Sequence, residues 1–278
     1  MAIRKLLLPL TGTAAGEAAL ATAVLVARQW NAQLTALHVR ADIRDVAPLA
    51  GEGLSGAMIA QMMAATEKES DARAQAVRDL FDRGIAEHGA GVAACFAAVT
   101  GREAELVARQ ARLADLTIVP HPEAGEDVSS SEALHAALFE SGRPVLVAPQ
   151  WPPAAIGRRI ALAWNGTAQA AAAVAAALPW LGRAGAVRVL SAEEYQRRGP
   201  GAAELGDYLA LHGIAADLAT FRPLDRDVGA GLLKAVRDFG ADLLCMGAYS
   251  HSRLRQSILG GVTRHVLEHA DLPVLMGR

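Results

Sequence analysis

The chain repeats itself, and the repetition limits its fold more than any other feature. Lys5–Ala27, "KLLLPLTGTAAGEAALATAVLVA", is matched by Arg158–Leu181, "RRIALAWNGTAQAAAAVAAALPWL". Each is an apolar strand, a polar Gly-Thr turn and an alanine-rich helix. Ala114–Pro120 ("ADLTIVP") is matched by Ala241–Gly247 ("ADLLCMG"), and Ser141–Pro149 ("SGRPVLVAP") by Ala270–Gly277 ("ADLPVLMG"). Three matches in the same order mark an internal duplication. A proline-rich stretch, Gln150–Gly157, separates the copies. The expected organisation is one domain over residues 1–150, a linker over 151–157 and a second domain over 158–278.

Within each copy, short apolar strands alternate with helices. The first copy gives strands in "RKLLLPL", "QLTALHV", "GVAACFAAV", "LTIVP" and "PVLVAP". Helices fall over Ala14–Trp30, Ala57–His88, Glu103–Arg112 and Ser131–Glu140. The second copy gives "RIALAW", "AVRVLSA", "ADLATFR", "DLLCMG" and "PVLMG", with a shorter middle. Strands that are apolar throughout and alternate with helices predict an α/β fold: a parallel sheet covered on both faces. Ligands of such sheets sit beyond the carboxyl ends of the strands, where the strand order reverses. The loops after the first and fourth strands of each copy are therefore the candidate sites.

The net charge of −2 offers no basic field for nucleic acid or an anionic membrane. The longest apolar run, Ala170–Leu181, is too short to span a membrane and contains Pro179. The basic start, "MAIRKLLLPLTG", has too short an apolar run for a signal peptide. The expected location is cytoplasmic. Cys95 and Cys245 both lie in apolar strand runs and are expected as buried free thiols, with no metal-binding Cys pair.

These residues together resemble the universal stress protein family in its tandem two-domain form, over nearly the whole chain. The family's nucleotide motif is Gly, two residues, Gly, nine residues, Gly, then Ser or Thr. The same frame here holds Gly247, Ser250, Gly260 and Gly261, followed by "VTRHVLEHADLPVLM". The resemblance implies two five-stranded parallel sheets of the Rossmann-like, adenine-nucleotide-binding type, paired inside the chain through their last strands. It also implies ATP as the candidate ligand, with Mg²⁺ arriving only with the phosphates. A second copy of the chain is a further candidate partner.

The frame makes physical sense as a phosphate cradle. Gly247 lets the chain leave its strand with no side chain over the ligand. Gly260 and Gly261 let backbone N–H groups approach phosphate oxygens, and a helix beginning near Val262 adds a positive dipole end. The Thr263 hydroxyl is placed to cap that helix or reach a phosphate. Arg253 offers charge-assisted hydrogen bonds, as does Arg255. Two departures weaken the cradle: Ser250 brings a Cβ, and Gly261 lacks the usual hydroxyl. In the turn after the first strand, Asn165 stands where nucleotide-binding relatives usually carry Asp, and remains either a ligand contact or a cap. Thr13 and Thr167 read as helix caps.

The first copy has no such frame. Pro120 stands where Gly247 stands, and Glu123, Glu126 and Asp127 would repel phosphate. It reads as a non-binding structural partner.

Other chemistry is thin. His265 and His269 are four residues apart on one helix, the spacing of a metal pair, but no third ligand is near in sequence. "YSHS" at 249–252 sets Ser beside His without an acid partner. "SSSE" at 129–132 reads as a helix start. Met58, Met62 and Met63 are expected as core or interface packing, beside a solvated charged stretch, "TEKESDARAQ". No catalytic constellation is present, so the expected function is a binding and signalling module. The alternative is an interaction scaffold that keeps the motif only as a turn.

Overall fold

A computed structural model describes residues 2–41, 56–122, 131–193, 199–248 and 261–278. The first half contributes β1 (Lys5–Pro9), α1 (Ala14–Trp30), β2 (Gln33–Arg40), α2 (Gly56–His88), β3 (Ala94–Thr100), α3 (Glu103–Ala111), β4 (Leu116–Val119), α4 (Glu132–Glu140) and β5 (Val145–Val147). The second half contributes β6 (Arg159–Ala163), α5 (Ala168–Leu181), β7 (Ala186–Ala192), α6 (Ala202–Leu211), β8 (Asp217–Phe221), α7 (Val228–Phe239), β9 (Leu243–Gly247), α8 (Gly261–His269) and β10 (Val274–Gly277).

All ten strands form one sheet in the order β3-β2-β1-β4-β5-β10-β9-β6-β7-β8. Pairing within each half is parallel. The halves meet where β5 and β10 run antiparallel, with Val147 opposite Val274 and Leu146 opposite Leu275. The central strands are buried on both faces, which accounts for their unbroken apolar sequences.

One apolar core lies on each face, and both run across the seam. The first packs α1, α2, α5 and α6 on the sheet, the second α3, α4, α7 and α8. The ends of α1 and α5 meet over the seam, where Trp30 and Trp180 stack edge to face at 5.2 Å. Arg183 lies over the Trp30 ring at 4.0 Å and donates to the Gln29 carbonyl. An added Cβ at Gly157, whose φ is +79°, would stand 2.7 Å from the Trp180 ring, so the chain turns into β6 beneath that tryptophan.

Two expectations about burial are corrected. Cys95 is exposed, while Cys245 is buried. The reason is sheet order: β3 is an edge strand with its outer side uncovered, and β9 is central. Met58 and Met62 are about half exposed, so the core alternative of their reading falls and interface packing is left as it stood. At 33 residues α2 is about 50 Å long, whereas the eight residues of β2 span roughly 27 Å. The helix outruns the sheet, and only its later turns, through Val77, Leu80 and Phe81, enter the core. Among the described residues no helix is long and apolar enough to cross a membrane.

Candidate functional site

In the second half the strand order reverses between β6 and β9, which are neighbours in the sheet. The chain leaves β6 for α5 on one face and leaves β9 towards α8 on the other. The cleft beyond the carboxyl ends of β6 and β9 is therefore the binding position this topology creates.

The expected site residues divide there. Ser250, Arg253 and Gly260 lie outside the described residues, as do the 249–252 stretch and Arg255. Gly261 is the first residue of α8 and is exposed. Among the described residues no atom lies within 4 Å of the place its Cβ would take. The first turn of this nine-residue helix carries N–H groups that the helix itself does not satisfy. Val262 is half-buried against the second core.

Three further residues have defined surroundings. Thr263 is the third residue of α8 and is buried. Gly247 owes its missing side chain to packing: a Cβ there would stand 2.5 Å from the Ala170 nitrogen and 2.5 Å from the Gln169 carbonyl carbon. The start of α5 sits directly on the end of β9. At Gly277, in register with Gly247 on β10, an added Cβ would stand 2.4 Å from the Ala173 nitrogen of the same helix. Asn165 turns its side-chain oxygen inwards, where it accepts from the Thr167 hydroxyl at 2.7 Å and the Thr167 N–H at 3.2 Å. Among the described residues its amide nitrogen has no partner and remains its only group for a ligand. Thr167 and Thr13 do cap α5 and α1, accepting from Ala170 and Gly16.

A feature that no sequence pattern announces is a mostly apolar pocket of about 450 Å³ between α5 and α6, with Glu204 at its lining. Trp164, Ala171, Val174, Pro200, Leu205 and Tyr208 line it. Trp164 follows β6 directly and donates its indole N–H to the Pro200 carbonyl at 2.9 Å. Gly199 lies against Gly166 so closely that a Cβ would fall 2.1 Å from the Gly166 oxygen. A second feature missed in the sequence is the contact of His265 on α8 with Asp227, 2.8 Å from Nδ1 to Oδ2. Nothing in the spacing of these two residues announces it.

The corresponding position of the first half is filled with histidine. His38, on β2, faces the Leu10 carbonyl at 3.2 Å, and His121, just past β4, faces the Pro122 carbonyl at 2.8 Å. Both are buried, and burial pushes their pKa values down, which favours the uncharged form. Burial, followed by the charge of Glu132, raises the pKa of Glu103 nearby in sequence to β3. The acidic residues Glu123, Glu126 and Asp127 lie outside the described residues.

Residues 157–278 match the model of the universal stress protein family. A search of curated protein sequences finds no match. Among solved structures, a universal stress protein from Archaeoglobus fulgidus DSM 4304 aligns with 98% of this chain and 97% of its own, at 14% identity and a TM-score of 0.65. A functionally unknown protein from Pseudomonas aeruginosa PAO1 aligns with 99% of this chain and 92% of its own, at 16% identity and a TM-score of 0.57. A putative universal stress protein from Pseudomonas aeruginosa UCBPP-PA14 aligns over the same shares at 17% identity and a TM-score of 0.56. At these identities the structural likeness speaks for the fold.

Proposed function

We propose, from the premise that residues 157–278 are a universal stress protein domain, that this protein is a stress-response binding module whose second half takes an adenine nucleotide. The first half serves as its structural partner. The observation that carries the proposal is the open first turn of α8 at Gly261, beside the reversal point of the sheet. Phosphate oxygens are the natural complement to that turn's N–H groups and dipole end. The Asn165 amide nitrogen is the nearest side-chain donor on the β6 turn. ATP is the proposed nucleotide, and Mg²⁺ would be held by its phosphates and by water. Among the described residues no cluster of acidic or histidine side chains offers it a protein cage. Among the described residues no group is assigned to orient an attacking water, and the proposed role is binding without hydrolysis.

Calorimetric titration of the purified chain with Mg·ATP tests this, together with mass spectrometry of nucleotide released on denaturation. Gly261→Asp is the informative variant. No described atom lies within 4 Å of the Cβ it would add, and a carboxylate in the first turn favours the helix. The same carboxylate repels phosphate. Binding of one ATP per chain that weakens at least about tenfold in Gly261→Asp supports the proposal, since a lost charge-assisted contact costs that much or more. Absence of heat at millimolar ATP, with no released nucleotide, overturns it.

A second reading, an interaction scaffold without nucleotide, is favoured by one observation. Gly247 is explained by the seat of α5 alone, so part of the motif would persist with no ligand to bind.

A further inference from the structure

We propose that the pocket between α5 and α6 is a binding site for a small aromatic amine, a flat apolar body of one or two rings that carries a cationic nitrogen. The site is separate from the nucleotide cleft. None of the described residues of the glycine frame lines it, nor does Asn165. The proposal does not rest on nucleotide binding.

The internal duplication supplies the comparison that marks the pocket as a feature of the second half. The helices at the matching places in the first half are α1 and α2. They close on each other: a Cβ at Gly84 of α2 would stand 2.6 Å from Leu20 Cδ2 of α1. In the second half the same two positions leave about 450 Å³ open between α5 and α6. That volume lies in the range of small-molecule sites.

The walls are held in place. On α5, Ala171 and Val174 stand three residues apart and share a face, as do Leu205 and Tyr208 on α6. Trp164, Val174 and Leu205 are buried and form an apolar floor. Trp164 is fixed by its indole N–H, which donates to the Pro200 carbonyl at 2.9 Å. Pro200 is fixed in turn by the approach of two glycines. A Cβ at Gly166, whose φ is +74°, would stand 3.1 Å from the Pro200 oxygen, and one at Gly199 would stand 2.1 Å from the Gly166 oxygen. At the rim, the Tyr208 ring is met edge to face by His212 at 4.8 Å. Tyr208 is still 41% exposed. Apolar floor and exposed aromatic rim are surface that a flat ligand takes out of water.

Charge selects the ligand's polar end. Glu204 is the charged residue of the lining, and no basic residue lines the pocket. Its Oε2 accepts from the Gly201 N–H at 2.7 Å, which holds the carboxylate at the start of α6. Among the described residues Oε1 has no partner. Asp207, exposed on the same helix, adds a second negative charge. A carboxylate accepts hydrogen bonds and donates none, so the ligand must bring the donor. An ammonium group brings donor and opposite charge together.

The test is titration of the full chain with naphthylethylamine and with naphthylpropionate, which share a ring system and differ in the sign of their charge. Calorimetry and ligand-observed NMR follow binding. The expected result is one amine per chain with a Kd below about 1 mM, as suits a ligand of this size. The acid should bind at least about fivefold more weakly, the scale set by a solvent-exposed charge pair. Ala171→Trp places a large side chain in the pocket from an exposed position of α5, and should weaken the amine at least about tenfold. Ala175→Trp, exposed on the same helix but outside the lining, should leave it unchanged. Glu204→Gln keeps an oxygen for the Gly201 N–H and should remove the preference for the amine. Circular dichroism holds each variant to the wild-type fold. Absence of amine binding at millimolar concentration, or equal binding by wild type and Ala171→Trp, overturns the site. An acid that binds as well as the amine, or a preference that survives Glu204→Gln, overturns the assigned ligand class.

Discussion

Replacing Gly247 with alanine separates a glycine kept for packing from one kept for a ligand. The new methyl would lie 2.5 Å from two backbone atoms of α5, Ala170 N and Gln169 C. Neither is the end of a flexible side chain, so relief requires moving the helix off β9. That helix also rests on β10, where even a Cβ at Gly277 would fall 2.4 Å from the Ala173 nitrogen, so the close seat continues one turn further along. Overpacking costs typically about 1–3 kcal/mol, and a rigid obstacle on both sides places this case near the top, ~3 kcal/mol. For a chain of this size that is a fall in Tm of roughly 6–12 °C. Thermal unfolding followed by circular dichroism, with and without Mg·ATP, measures it. Gly261→Ala is the control: it adds the same methyl where no described atom lies within 4 Å, and Tm should hold or rise. A Gly247→Ala variant within about 2 °C of wild type would refute the reasoning, because one methyl cannot be accommodated there without cost. If that variant also lost ATP binding, Gly247 would belong to the ligand after all.

The remaining predictions concern titration and reactivity. Cys95 is exposed on the edge strand, whereas Cys245 is buried and burial raises its pKa; Ellman's reagent should therefore count one thiol in the native chain and two in guanidinium, and Cys95→Ser should leave none reactive before unfolding. His38 and His121 have pKa values lowered from 6.5 by burial, so on acidification the unfolded chain takes up these protons first. Stability should fall from about pH 6.5 downwards until the folded-state values are passed, and His38→Gln should flatten that slope in urea titrations at stepped pH. Glu103 acts in the opposite direction. Its raised pKa makes the folded state bind the proton first, so its contribution grows as pH falls through that value and is lost as pH rises again.

Much of the fold is legible in the sequence because strand burial writes itself into composition. The runs "KLLLP", "LTIV" and "VLMG" have no polar face, and central parallel strands have no exposed face to need one. Thr13 and Thr167 could be read as caps because an N-cap is a local interaction three residues long. Burial at the ends of the sheet was not legible in the same way. Cys95 sits in "ACFAAVT", as apolar as any central strand, and only its place at the edge of the sheet exposes it. Met58 and Met62 have core-like chemistry and spacing, but nothing local says that the sheet ends before the helix does. The Asp227–His265 contact joins distant segments, and neither residue has a sequence signature that pairs it with the other.

The same distinction bears on what a nucleotide motif can testify to. Motif glycines are counted as if each faced the ligand, yet Gly247 faces Ala170 and Gln169. Its register partner Gly277, which belongs to no motif, does the same against Ala173 one turn later. The two glycines form a shelf for α5, and the alanines of that helix are small because it lies on main chain. A chain that lost its nucleotide would keep both glycines, since losing either displaces a helix. The residues able to discriminate are those with no packing task. Among the described members of the frame that leaves Gly261, whose Cβ position meets no described atom within 4 Å. No described neighbour gives a steric reason for glycine there, and an approach of phosphate to the first turn of α8 would supply one.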